Sequence, residues 1–329
     1  MPSNDIRAVD AAREAKVAAA RDLSDVSHEP GVVKPDAILV VDGVRRQFGG
    51  LVAVDVDHLE FPRGCITALI GPNGAGKTTL FNLLTGFDRP QDGDWEFRPT
   101  ADTAKKMRNV PAYRVARAGM VRTFQLTKAL SKMTVLDNMK LAATRQQGER
   151  IWPSLLPFLW RAQDQAIEAR AMELLARFKL DTKAQEYAGT LSGGQRKLLE
   201  MARALMTEPT IVMLDEPMAG VNPALTQSLL EHVKALRSDG MSVIFVEHDM
   251  DVVRDISDWV VVMAQGGVIA EGPPDVVSAN PHVIDAYLGA RHDEALPEVE
   301  LGAPLADDAE AVREEIAAEI HETEKEAGQ

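Results

Sequence analysis

The sequence predicts an α/β domain built on a mainly parallel sheet. Short apolar segments carry this first: CITALI at 65–70, IVMLDE at 211–216 and SVIFVEHD at 242–249 have the composition of buried parallel strands. Segments with helical spacing lie between them. The first of these strands also runs directly into a glycine-rich turn and then a helix, the order of a βα unit.

In chain order, residues 1–36 are polar, contain Pro30 and Pro35, and read as an extension with a candidate helix over Ala8–Ala20. ILVVDGVRRQF and LVAVDVDHLEF read as two strands joined by Gly49-Gly50, a hairpin signal. GPNGAGKTTLFNLLTG is a turn followed by a helix with Gly86 as its cap. Residues 113–208 read as mostly helical, with apolar positions at helical spacing in IEARAMELLARFKL. A helix from Pro223 to Arg237 separates two strands, WVVVMAQGGVIAEG reads as a hairpin about Gly266-Gly267, and PHVIDAYLG closes the domain as a short helix. No internal repeat is visible, so the pattern gives one domain over 37–290 and a tail over 291–329, solvated or forming an exposed helix.

Composition narrows the function. The chain has 329 residues, 45% of them hydrophobic, enough for a sizeable core. Cys65 is the single cysteine, which excludes an internal disulfide and disfavours a cysteine metal site; it reads as a small core residue. The N-terminus lacks the apolar core of a signal peptide. The apolar stretch IWPSLLPFLW at 151–160 is ten residues long and contains two prolines, against about twenty residues for a spanning helix, so the expectation is a chain soluble by itself. With Trp152, Phe158 and Trp160, that stretch either rests on a membrane or permease or tucks under the helix beginning near Gln163. The net charge is −14, but residues 291–329 hold thirteen acidic and three basic residues, so the acidity belongs to the tail. Nothing here favours nucleic acid, which asks for basic patches.

Three motifs carry chemistry. Gly71, Pro72, Asn73, Gly74, Ala75, Gly76, Lys77 and Thr78, with Thr79 following, match the phosphate-binding pattern G-x-x-x-x-G-K-[ST]. Its glycines let the backbone wrap a phosphate, the helix start adds a positive dipole, Lys77 reaches the β- and γ-phosphates, and the Thr78 hydroxyl is placed for Mg²⁺. In IVMLDEP, Asp215 emerges at the C-terminal end of a buried strand, where it can hold Mg²⁺ through water. Glu216 follows, placed to orient or deprotonate the attacking water. LSGGQ at 191–195 opens a helix, so that Ser192, Gly193, Gly194 and Gln195 form a second anion-binding helix start. Because the first motif already covers the phosphates of this chain, the second points to the γ-phosphate of a nucleotide held by another subunit.

With these motifs the sequence resembles the ABC ATPases, and VRTFQ, MTVLDNMKLAA, DEPMAGVNP, EHDM and AYLG look like the ATP-binding subunits of branched-chain amino-acid importers over about residues 38–290. LSGGQ follows the general form rather than the variant common in that subfamily, and the segment between Gly86 and Tyr113 is atypical of it. The resemblance implies a P-loop NTPase core with a mainly parallel sheet, an antiparallel β subdomain and a helical subdomain at about 113–208. It implies ATP and Mg²⁺ as cofactors. By the resemblance, Phe48 stacks on adenine, though a strand-end core aromatic would read the same; Gln125 contacts Mg²⁺ and the water, and His248 senses the γ-phosphate. Asn222 stands where the wider family has Asp. Leu126, Ala129, Leu130 and Met133 are expected either to line a permease groove or to be subdomain core. The implied partners are a second ATPase, identical or related, two transmembrane permease subunits, and indirectly an extracytoplasmic solute-binding protein, at the cytoplasmic face of the membrane. A sister transporter for urea, amides or lipids would look similar. A soluble ABC ATPase acting on ribosomes or DNA is disfavoured by the single nucleotide domain and by the absence of a long coiled coil between Lys77 and Leu191.

Overall fold

The computed structural model describes residues 22–123, 129–144, 146 and 160–293. The chain divides into one unit, Met1–Ala290, and a second, Arg291–Gln329; the fold below is that of the first.

A parallel core and an antiparallel layer make up the sheets. The core sheet has the order β10-β9-β3-β8-β7-β6, formed by β3 (Ile66–Ile70), β6 (Met120–Arg122), β7 (Ile211–Asp215), β8 (Ser242–Val246), β9 (Trp259–Ala264) and β10 (Gly267–Gly272). Its pairs are parallel except β9 with β10. Every residue of β3, β7 and β8 is buried, which is why they read as unbroken apolar runs. Alternate residues serve two cores, as strand geometry requires. Val212 and Leu214 join a cluster with the helices, while Ile211 and Met213 join one with the second sheet.

That second sheet is antiparallel, in the order β2-β1-β4-β5, from β1 (Ala37–Phe48), β2 (Leu51–Pro62), β4 (Asp92–Thr100) and β5 (Thr103–Lys106). The expected Gly49-Gly50 hairpin is present, with Phe48 paired to Leu51. Strands β4 and β5 fall in the stretch where the sequence pattern assigns no element. Acidic residues, Gly93 and Pro99 dilute the strand signal, although Trp95 and Phe97 are fully buried.

The helices are α1 (Lys77–Leu84), α2 (Ala112–Ala118), α3 (Val135–Ala142), α4 (Arg161–Arg177), α5 (Gly193–Leu205), α6 (Pro223–Ser238), α7 (Met250–Ile256), α8 (Pro274–Ser278) and α9 (Pro281–Asp293). Gly86 ends α1 as expected: at φ +73 it donates to the Leu83 carbonyl, and Phe87 donates to Asn82. Two expectations shift. Within the stretch read as mostly helical, β6 adds a strand to the parallel sheet, too short to show a period. The β9–β10 turn is made by Gln265-Gly266, both at positive φ, one residue before the glycine pair suggested; Gly267 is already paired with Ala264.

Part of the polar extension is not free. In the stretch 22–36, Leu23 and Lys34 are buried. Glu271 of β10 ion-pairs with the Lys34 ammonium and accepts from the amides of Gly31 at 2.7 Å and Val32 at 3.1 Å. The indole of Trp259 donates to the same carboxylate at 3.0 Å. Segments 124–128 and 151–159, which contain Gln125, Leu126, Trp152 and Phe158, lie outside the described residues.

Candidate nucleotide site

The phosphate loop joins β3 to α1, and its glycines answer to packing as well as to ligand access. A Cβ on Gly71 would stand 2.0 Å from the Met263 carbonyl oxygen, and one on Gly76 2.1 Å from that of Ala53. The tip of the β9–β10 hairpin props the loop. Gly266 donates to the Ala75 carbonyl at 3.1 Å and accepts from Asp55 at 2.8 Å. Gly76 is the N-cap of α1, in the left-handed conformation, and brings no side-chain acceptor to the first-turn amides. Asn73, Gly74 and Thr78 are exposed, while Pro72, Lys77 and Thr79 are half-buried. The Lys77 ammonium donates to the carbonyls of Gly71 at 2.7 Å and Pro72 at 2.9 Å. Burial holds its pKa below the usual lysine value, and the carboxylates of Glu216 and Asp215 oppose that shift. Lys77, Asp215 and Glu216 thus form one electrostatic cluster at the C-terminal end of the sheet.

Asp215 ends β7 and is buried. Its Oδ2 accepts from Arg122 at 2.6 Å, and the other arm of that guanidinium donates to Asn82 of α1 at 2.6 Å. Arg122 also lies 5.5 Å from the centre of the Phe81 ring. It comes from β6, the strand beside β7, so only the sheet order reveals the pair. Glu216 has φ +46, and its amide donates to Val246 at 3.1 Å. A cavity of about 20 Å³ lies among Thr123, Lys197, Glu200, Asp215 and Glu216, room for one water. Beyond β8, Glu247 is buried and accepts from the Met218 amide at 2.9 Å; burial pushes its pKa up. His248 is exposed, with Nδ1 3.9 Å from Glu247.

The LSGGQ segment opens α5 with Ser192 as its N-cap. Ser192 Oγ accepts from the Gln195 amide at 3.2 Å, and the Gln195 side chain accepts from the Ser192 amide at 3.0 Å. Ser192 and Gly193 are exposed; Gly194 is buried against Leu225 of α6. Asn222 caps α6, accepting from Leu225 at 2.9 Å. Phe48 is 48% exposed, with the Arg46 guanidinium lying over its ring 4.4 Å from the centre. In the helical region, Ala129 packs against the core, Leu130 is exposed and Met133 half-buried.

Comparison with known proteins decides the family. Residues 54–219 match the ABC transporter family, and residues 268–293 match one described as a branched-chain amino acid ATP-binding cassette transporter. A probable branched-chain amino acid transport ATP-binding protein, LivG, of Archaeoglobus fulgidus is 42% identical over 257 residues, covering 78% of this chain and 97% of the relative. The chain belongs to the ATP-binding proteins of ABC transporters. LivG of Escherichia coli is likewise 42% identical, over 77% of this chain and 98% of the relative. Among solved structures, the ADP conformation of an ATP-binding cassette of an ABC transporter superposes with a TM-score of 0.66 at 36% identity, over 77% of this chain and 99% of that one. The ABC ATPase fold implied by the sequence is therefore present. Within it, Arg122, Lys197 and Glu247 are site residues that sequence reasoning missed. Arg122 and Glu247 carry a weak signal, since they sit inside the quoted segments VRTFQ and EHDM.

Proposed function

We propose that this chain is the ATP-hydrolysing subunit of a transporter that imports branched-chain amino acids. The observation that carries the chemistry is the cluster of Lys77, Asp215 and Glu216 where β3 and β7 end, beside a helix start with no side-chain cap. The solute is that of the relatives matched over nearly their whole length, named as branched-chain amino acid transport ATP-binding proteins.

In this reading the phosphate-loop amides and Lys77 hold the β- and γ-phosphates, Phe48 offers its face to the base, and Glu216 takes the proton of the attacking water. The Thr78 hydroxyl and, through water, the Asp215 carboxylate are hard oxygen donors that would hold Mg²⁺, with Gln125 as a further contact. Bound there, the metal supplies charge neutralisation. His248 is assigned to the γ-phosphate, and Ser192, Gly193 and Gly194 to the nucleotide of a second ATPase subunit. Gln195 and Asn222 act there by shaping the two helix starts. Among the described residues no helix is long and apolar enough to cross a membrane. We assign the chain to the cytoplasmic face, docked on two permease subunits, with an extracytoplasmic binding protein delivering the solute and no nucleic acid involved.

Glu216→Gln should keep ATP affinity and slow hydrolysis at least about a hundredfold, the usual scale for removing a general base. Steady-state turnover beside nucleotide titration checks this; near-normal turnover removes Glu216 from the role.

A further inference from the structure

The loop after β7 is held from two sides. Lys197, in the second turn of α5, donates its ammonium to three backbone carbonyls: Glu216 at 3.2 Å, Pro217 at 3.0 Å and Ala219 at 2.5 Å. After β8, Glu247 accepts the Met218 amide at 2.9 Å. Glu216 itself sits at φ +46, a region uncommon for residues other than glycine that persists only when its surroundings hold it. The three carbonyls have one ammonium in common; the Glu216 carbonyl also accepts from the Ala219 amide at 3.2 Å, so removing the ammonium loosens the Pro217 and Ala219 carbonyls most. Lys197 stands two positions beyond the Ser192–Gln195 capping box, on the same rigid helix.

We propose that Lys197 is a positioning residue for Glu216: it ties the backbone of residues 216–219 to α5, so that the helix carrying the LSGGQ start also sets where the Glu216 carboxylate stands. This rests on the assignment of Glu216 as the base. Lys197 acts through the main-chain carbonyls of residues 216, 217 and 219. The arrangement makes one block of two pieces of site, the start of α5 and the Glu216 loop, and Gly194 at that start packs against Leu225 of α6.

The test uses the full-length chain with Lys197→Met, Lys197→Gln and Lys197→Arg, beside Glu216→Gln and the double variant Lys197→Met/Glu216→Gln. Three quantities are read: kcat against KM for ATP, the melting temperature, and hydrogen exchange of the peptide covering 214–222 without nucleotide. Lys197→Met and Lys197→Gln should lower kcat by about ten- to a hundredfold, the scale of misplacing a catalytic group by about 1 Å, with KM within about twofold. Exchange over 216–219 should accelerate, and Lys197→Arg should recover most of kcat. The double variant should be no slower than Glu216→Gln alone, because both changes remove one function. Normal kcat in Lys197→Met, unchanged exchange, a parallel loss of ATP affinity, or a further drop in the double variant would overturn the proposal. If Glu216→Gln itself turns over normally, the base assignment fails first, and that outcome is distinct from a slow Glu216→Gln beside a normal Lys197→Met.

Discussion

The starts of α1 and α5 are both glycine-rich helix openings, yet they are built in opposite ways. At α1 the N-cap is Gly76, with no side chain to accept from the first-turn amides, and its immediate surroundings are backbone: Ala53 behind Gly76 and Met263 behind Gly71. At α5 the N-cap is Ser192, boxed with Gln195, and a Cβ on Gly193 would meet nothing within 4 Å. The first opening is a rigid cradle completed by the fold around it. The second is self-supporting and presents a bare, exposed glycine outward. A cradle binds what its own domain holds; a self-capped, protruding start suits a ligand brought by another body.

That contrast can be broken by substitution. The largest effect should come from Lys77→Ala, which removes the ammonium bonded to the Gly71 and Pro72 carbonyls of the cradle. Turnover should fall about a thousandfold with weakened nucleotide binding, the upper range for losing a preorganised charge donor. Retained ATP affinity in a titration would show that the amides alone suffice. Next, Gly76→Ala should destabilise the domain by at least about 2 kcal/mol, because an L-residue at φ +98 is strained and the methyl meets the Ala53 carbonyl. Chemical denaturation measures this. Ser192→Ala should cost only about 1 kcal/mol, the ordinary worth of an N-cap, by the same denaturation assay. The smallest change in stability should follow Gly193→Ala, within about 0.5 kcal/mol. Its turnover in the assembled transporter should nonetheless drop about tenfold. Unchanged turnover there would end the idea that α5 meets a nucleotide.

Much of this was legible in the sequence because it is written in contiguous residues. Strands β3, β7 and β8 are buried on both faces and read as apolar runs, and the phosphate loop and the Asp215-Glu216 pair follow them directly. What escaped depends on through-space partners. Arg122 meets Asp215 across 93 positions, and Glu247 meets Met218 across 29. No local pattern encodes either pair. Strand β6 is three residues long, and β4 mixes acidic residues with its two buried aromatics, so neither shows a clean alternation.

The buried Lys34–Glu271 pair sets a limit on how the chain can be shortened. The resemblance to the family begins at about residue 38, which would suggest starting at the first strand. A version beginning there would take from the Glu271 carboxylate its ammonium and the Gly31 and Val32 amides, leaving it the Trp259 indole, and would strip β10 of the segment packed on it. The N-terminal cut therefore belongs before Leu23, and an affinity tag belongs ahead of that point rather than against β1.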